Sequence, residues 1–367
     1  MENEKYLTEQ LITYIGNKRA LLGFIGESIK DVKKELGVEK LITFDGFAGS
    51  GVVSRYLKQH SSKLYANDLE KYSATVTGAY LINKSDIDFD ELSNIIQRLN
   101  NLKNTTDFGV GIIEELYSPK NTFNIKIGER CFYTNENAKI IDNLRRLINT
   151  DIVPESYKKL ILANLLHKSS VHTNTSGVFK GFYKSKNNGV GKFGGDGENA
   201  LQRIMGEITL ENNIISNYEC EFKVFNEDIY TAVDKIGHVM LTYLDPPYNQ
   251  HPYSSNYHIL NTIHDYIKPE KISDVSGIRQ DWNKSEYNYK ERAEFSLDTL
   301  ISKTNSDFIL LSYNNEGIIS SEKIYDILSS YGVVKLKKQE YNAFRGSRNL
   351  KDRSNKVEEL LYVLKKN

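Results

Sequence analysis

Hydrophobic residues in this chain fall into short, nearly charge-free runs toward both ends and into helical spacing through the middle. Leu41-Ile42-Thr43-Phe44-Asp45-Gly46-Phe47 reads as a first strand and Lys63-Leu64-Tyr65-Ala66 as a second, with a helical stretch from Val52 to Leu57 between them. Between about 86 and 217 the alternation of strand and helix stops. There Asp90 to Leu99, Asn135 to Ile148, Ser156 to Ser170 and Asn199 to Leu210 carry helical spacing instead. Alternation returns with Glu221 to Asp228 and Val239 to Leu244, then Asp307 to Tyr313, Val333 to Leu336 and Leu360 to Leu364. Seven strands result. The last two flank a segment, Tyr341 to Lys356, too short for a normal crossover helix, so they are expected to pair antiparallel. The pattern predicts an α/β domain from residues 1–85 and 218–367, interrupted by a mainly helical insertion at 86–217.

The strand Val239 to Leu244 runs directly into Asp245-Pro246-Pro247-Tyr248. Two consecutive prolines cannot continue a sheet or enter a helix interior, so the chain must leave the strand in a stiff, extended loop. A loop at the carboxyl end of a central parallel strand lies where open α/β sheets bind ligands. It offers one carboxylate, the carbonyls of ring-locked residues and one aromatic ring. That set suits a planar amine, which needs acceptors for its hydrogens and a flat face to stack on. An Asp-Pro pair alone would fit a strand-ending turn; Pro-Pro-Tyr after a buried strand points to a site.

A second candidate site follows the first strand, where Phe47-Ala48-Gly49-Ser50-Gly51 forms a glycine-rich turn into a helix. Such turns let a ligand approach the backbone, although this spacing differs from G-x-G-x-x-G and is weak evidence alone. About twenty residues on, Asn67-Asp68 closes the second strand, where an acid can accept from ribose hydroxyls or merely cap a helix.

Composition narrows the partners less than the motifs do. Lys and Arg together number 48, as do Asp and Glu, so any basic footprint must be local. One candidate is the glycine-rich, aromatic stretch holding Lys180, Lys184 and Lys192, in which Asp196 and Glu198 are the nearby acids. Another is Tyr341 to Lys356, where Arg345 and Arg348 stand among five basic residues and one acid. Two cysteines without a C-x-x-C indicate a reducing cytoplasm, and seven histidines without ligand spacing give no metal site. No apolar run approaches the length of a membrane span, and the first residues do not read as a signal peptide.

Taken in order, these stretches resemble the adenine-N6-specific DNA methyltransferases of the alpha arrangement, in which cofactor motifs precede an inserted recognition region and then the catalytic tetrapeptide. The resemblance rests on Tyr14-Ile15-Gly16-Asn17-Lys18, Phe47 to Gly51, Asn67-Asp68, Asp228, Asp245 to Tyr248 and the continuation Ser254-Ser255-Asn256-Tyr257-His258. It implies a class I, Rossmann-like methyltransferase fold with a seven-stranded, mostly parallel sheet, an antiparallel terminal hairpin and a helical target-recognition insertion. It also implies S-adenosylmethionine as cofactor, without a metal. Contacts to it would come from Tyr14, Lys18, Asp45, Phe47, Ala48, Gly49, Gly51, Asp68, Asp228 and Asp245. Asp245, Pro246, Pro247 and Tyr248 would act on the exocyclic amine of an adenine flipped from double-stranded DNA. Lys180, Lys184, Lys192, Arg345 and Arg348 are the candidate DNA contacts. The expected setting is the cytoplasm of a prokaryotic cell, or a phage-encoded enzyme, acting as a monomer, with a restriction endonuclease as possible counterpart. Methylation of cytosine N4, or of RNA, and an inactive DNA reader are the alternatives to this activity.

Overall fold

The computed structural model describes residues 2–342 and 356–367. One sheet runs through it, built from β1 (Leu41–Asp45), β2 (Ser61–Asn67), β3 (Glu221–Phe225), β4 (Val239–Leu244), β5 (Ser306–Asn314), β6 (Gly332–Asn342) and β7 (Lys356–Lys366). Their spatial order is β3-β2-β1-β4-β5-β7-β6, with the first five parallel and both β5–β7 and β6–β7 antiparallel. This is the mostly parallel sheet with antiparallel terminal strands that the sequence pattern predicts. From β1 the chain moves outward to β2 and β3, then returns to the other side of β1 as β4. The connections therefore diverge between β1 and β4, opening a crevice at their carboxyl ends.

Alternation along each strand fills both faces of the sheet. Phe44, Leu244, Ile309, Leu311 and Tyr362 pack beneath helices Ile229–Lys235, Lys290–Lys303 and Ser321–Ser329. Leu41, Leu64, Leu241, Leu310 and Leu361 face the helices Leu22–Leu36 and Val52–Lys58. Each of these fully buried side chains contributes about 1.5–3 kcal/mol of transfer free energy. Because β7 runs against its neighbours, its first residues lie beside the carboxyl end of β5: Glu359 pairs with Asn314 and Leu360 with Tyr313. An acid there reaches the ligand edge of the sheet although it comes from the last strand.

The segment between β2 and β3 contributes helices and no strand of the sheet. Its helices Phe89–Leu102, Asn135–Ile148 and Glu155–Val171 match the expected spacing closely. They share a core with Lys71–Leu81 and His258–Asp265, the helices that follow β2 and β4. The expected helix from Asn199 to Leu210 is cut to Leu201–Met205. Beyond Gly206 the backbone turns extended, and side-chain amides take its donors: the Ile208 amide donates to Asn137 Oδ1 and the Leu210 amide to Asn100 Oδ1, both at 3.0 Å. Helical spacing persists there, but these partners replace the helical bonds. Among the described residues no helix is long and apolar enough to cross a membrane.

Candidate active site

A cavity opens at the carboxyl ends of β1, β2 and β4, at the switch point of the sheet. The turn Phe47–Gly51 forms its floor. Gly49 adopts φ +55°, and a Cβ there would come within 3.0 Å of the Tyr14 ring, so the position is closed to side chains on two counts. The Gly49 amide donates to Asp68 Oδ2 at 2.7 Å, and the Glu70 amide to Asp68 Oδ1 at 2.8 Å. Burial nevertheless pushes the Asp68 carboxyl up to about 6 and that of Glu70 to about 7. Asp228 is exposed at the cavity wall and caps the next helix, accepting from the Tyr230 amide.

The N-terminal motif is tied into the same wall. Asn17 donates to Ser50 Oγ at 3.2 Å, the Ile15 amide donates to the Tyr257 hydroxyl at 2.8 Å, and the Tyr253 hydroxyl donates to the Ile15 carbonyl at 3.2 Å. Tyr14 lies between Tyr253 and Tyr257, with ring centroids 4.9 and 4.8 Å away and planes within 7°. The strand-ending tetrapeptide closes the cavity opposite the glycine turn. Asp245 lines it with a side chain 18% exposed, and Tyr248 is half-buried, edge-on to Tyr313 and close beneath Gly16.

Lys18 connects these pieces. Its side chain is buried, and its ammonium lies 3.2 Å from Asp245 Oδ1 and 2.8 Å from Glu359 Oε1. Burial opposes the ammonium charge most strongly, but Asp245 and Glu359 outweigh it and raise the Lys18 pKa well above the usual lysine range. Burial holds the Asp245 carboxyl above the usual carboxylate range; Lys18 pulls it down and Glu359 pushes it up again.

Residues 14–339 match the family described as D12 class N6 adenine-specific DNA methyltransferase. The chain belongs to that family. The modification methylase StsI of Streptococcus sanguinis is 31% identical to this chain over 96% of the chain and 52% of its own length. Type II methyltransferase M.NlaIII of Neisseria lactamica is 29% identical over 97% of the chain and 99% of its own length. Type II methyltransferase M.FokI of Planomicrobium okeanokoites is 30% identical over 96% and 52%. The chain thus spans about half the length of StsI and M.FokI and almost all of M.NlaIII.

Most residues singled out in the sequence converge on this cavity: Tyr14, Lys18, Phe47, Ala48, Gly49, Asp68, Asp228, Asp245 and Pro247 all line it. Pro246 is buried behind them, and Gly51 holds φ +73° at the start of the helix below. Asp45 stands apart. It is wholly buried and off the cavity wall, with one oxygen accepting from the Ser54 hydroxyl at 2.5 Å, and burial raises its carboxyl to about 7. Its position supports the glycine turn from below.

The basic candidates divide. Lys192 pairs with Asp196 at 3.6 Å, and Lys184 lies 4.9 Å above the Phe182 ring. Lys180 is half-buried and near His251, whose ring pKa is lowered by burial and then by the Lys180 charge; His251 stands one position before the cavity-lining Pro252. Nearby, Lys168 pairs with Glu211 at 2.6 Å and Arg203 donates to the Thr173 carbonyl. Arg345 and Arg348 lie outside the described residues. Asn174 proves to be a structural hub, donating to the Cys131 carbonyl and accepting from the Gly194 amide.

Two features escaped the sequence reading. The Tyr14 sandwich had a signal in the four-residue spacing of Tyr253 and Tyr257, which puts them on one side of a helical turn. Glu359 had one in its parity: it shares a strand face with Val357, Leu361 and Val363, an apolar row in which an acid requires a partner.

Proposed function

We propose that this chain transfers a methyl group from S-adenosylmethionine to the exocyclic N6 of an adenine flipped out of duplex DNA, as the modification enzyme of a restriction-modification pair. The observation that carries the reading is the charge of the cavity. Asp68, Glu70, Glu227, Asp228 and Asp245 line it against the single cation Lys18. An acid-walled cavity over a glycine turn repels a pyrophosphate and suits a cofactor bearing an ammonium and a sulfonium. The residues therefore fit S-adenosylmethionine: the Gly49 turn for close backbone approach, Asp68 for ribose hydroxyls and Asp228 for the adenine end.

The bound cofactor supplies an electrophilic methyl group on sulfur. The protein must make a poor nucleophile good, because the lone pair of an adenine amine is delocalised into the ring. The Asp245 carboxylate and the Pro246 carbonyl accept the two amine hydrogens, which lets the nitrogen become tetrahedral. Positioning and fixed dipoles provide most of the acceleration. Tyr248 supplies the ring on which the flipped base stacks. The prolines fix both acceptors relative to β4, so little reorganisation is needed during the reaction.

Nucleoside mass spectrometry tests the reading. Duplex DNA incubated with the protein and methyl-labelled S-adenosylmethionine should yield labelled N6-methyladenine; label confined to cytosine, RNA or protein would end it. The same reading assigns sequence recognition to the 86–217 insertion, which the sheet does not need for completion. Exchanging that insertion for the corresponding part of M.NlaIII should move methylation to the donor's site. An active chimera with an unchanged site would refute the assignment.

A further inference from the structure

Glu359 lies on the last strand, 114 positions beyond Asp245 in the sequence, yet both reach the same ammonium. Its side chain is 1% exposed, and it accepts from the Ser312 hydroxyl of β5 through Oε1, the oxygen that faces Lys18. Its other oxygen is buried without a hydrogen-bond partner, and the Lys18 ammonium makes ionic contacts to both acids without an aligned hydrogen bond to either. A buried carboxylate kept half-satisfied is costly. Pairing Lys18 with Asp245 alone would be cheaper and would leave a neutral pair. The third group changes the charge of the assembly.

We propose that Glu359 is a positioning residue for methyl transfer: by sharing the Lys18 ammonium with Asp245, it leaves the buried trio with one net negative charge and keeps Asp245 able to accept a proton from the substrate amine. This rests on the methyl-transfer reading above. In the reaction the N6 lone pair forms the new C–N bond, the C–S bonding pair returns to sulfur, and one N6 proton passes to an Asp245 oxygen. The trio then goes from one negative charge to none. Without Glu359, the Lys18–Asp245 pair would go from neutral to positive in a buried site while taking that proton, which is the less favourable change. The other titratable groups facing Asp245 are phenols from several elements, Tyr243 of β4, Tyr248 and Tyr253 of the following loop and Tyr341 of β6, together with the Asp45 carboxyl below. The phenols are neutral at physiological pH, since burial raises each of them. Glu359 is thus, beside Asp245 itself, the carboxylate bound directly to the Lys18 ammonium.

The test is Glu359→Gln, which keeps shape and an acceptor for Ser312 while removing the charge. Wild type is assayed beside it, so that absence of N6-methyladenine from wild type overturns the underlying activity and not this inference alone. The variant should show kcat lowered by about tenfold or more with KM for S-adenosylmethionine within about threefold, a split a merely structural role would not give. The acidic limb of its kcat–pH profile should move to lower pH by about one unit or more, since the charge that raises the Asp245 carboxyl is gone. Glu359→Asp, which retains the charge, should bring the limb back toward wild type. An unshifted limb in a folded, active Glu359→Gln enzyme overturns the proposal. Wild-type protein with ¹³C-labelled aspartate carboxyls gives a check that does not depend on the variant folding: the Asp245 signal, assigned with Asp245→Asn, should titrate above about 3.9, the ordinary aspartate value. Titration at or below that value overturns the proposal as well.

Discussion

The Asp245→Ala protein is expected to fold, to bind S-adenosylmethionine, and to transfer methyl groups at least about 10²- to 10³-fold more slowly than wild type. Folding should survive because the substitution strands no partner. Lys18 keeps Glu359 at 2.8 Å, and the carboxylate removed is one that burial already penalises. The wall that would hold the cofactor, Gly49 with Asp68 and Asp228, is built by β1, β2 and the helix after β3 and does not lean on Asp245. What disappears is the acceptor that acts on the amine as its nitrogen turns tetrahedral, an interaction that strengthens in the transition state and so appears in kcat. Calorimetry with S-adenosylmethionine and single-turnover methylation of duplex DNA measure the two halves separately. A folded variant that no longer binds the cofactor would assign Asp245 to holding it.

The sheet was legible in the sequence because its central strands β1, β4 and β5 are apolar runs ended by polar or turn-forming residues, and such runs report burial directly; the edge strand β3 showed only alternation. The terminal hairpin followed from length alone, since too few residues separate β6 and β7 for a crossover. The Asn199 to Leu210 stretch misled for a physical reason: its apolar spacing is real, but asparagine side chains from three distant helices compete for the backbone donors there. The candidate site was legible wherever one motif supplies both backbone and side chain, as in Phe47 to Gly51 and Asp245 to Tyr248. Glu359 was not, because its role depends on β7 entering the sheet between β5 and β6, a placement that no local pattern specifies. The composition of the 176–195 loop overstated its basic character for a similar reason, as Lys192 finds its counter-charge in Asp196, just past the loop.

Lys18→Met should be the most damaging single change for stability, costing about 3–5 kcal/mol near neutral pH, and it should abolish detectable turnover. Methionine fills the same buried space, so the loss is electrostatic: Asp245 and Glu359 are left sharing a site with no cation. Their mutual repulsion and burial then raise the Asp245 carboxyl further than in wild type, where Lys18 is the contact that lowers it. The sign of the pH dependence follows. A carboxyl whose folded pKa lies above its unfolded value of about 3.9 binds more protons in the folded state. Its stabilising contribution is complete below that unfolded value and is lost as pH rises through the folded one. The variant loses it over a wider range than wild type, so its deficit should be smaller at about pH 6 than at about pH 9. A protonated Asp245 accepts an amine hydrogen only weakly and cannot take up its proton, so turnover fails in the pH range in which the wild-type protein retains its carboxylate. Urea unfolding of both proteins at the two pH values decides the matter. An equal deficit at both would mean that the ammonium does not govern the two carboxylates and that Lys18 serves only to fill space.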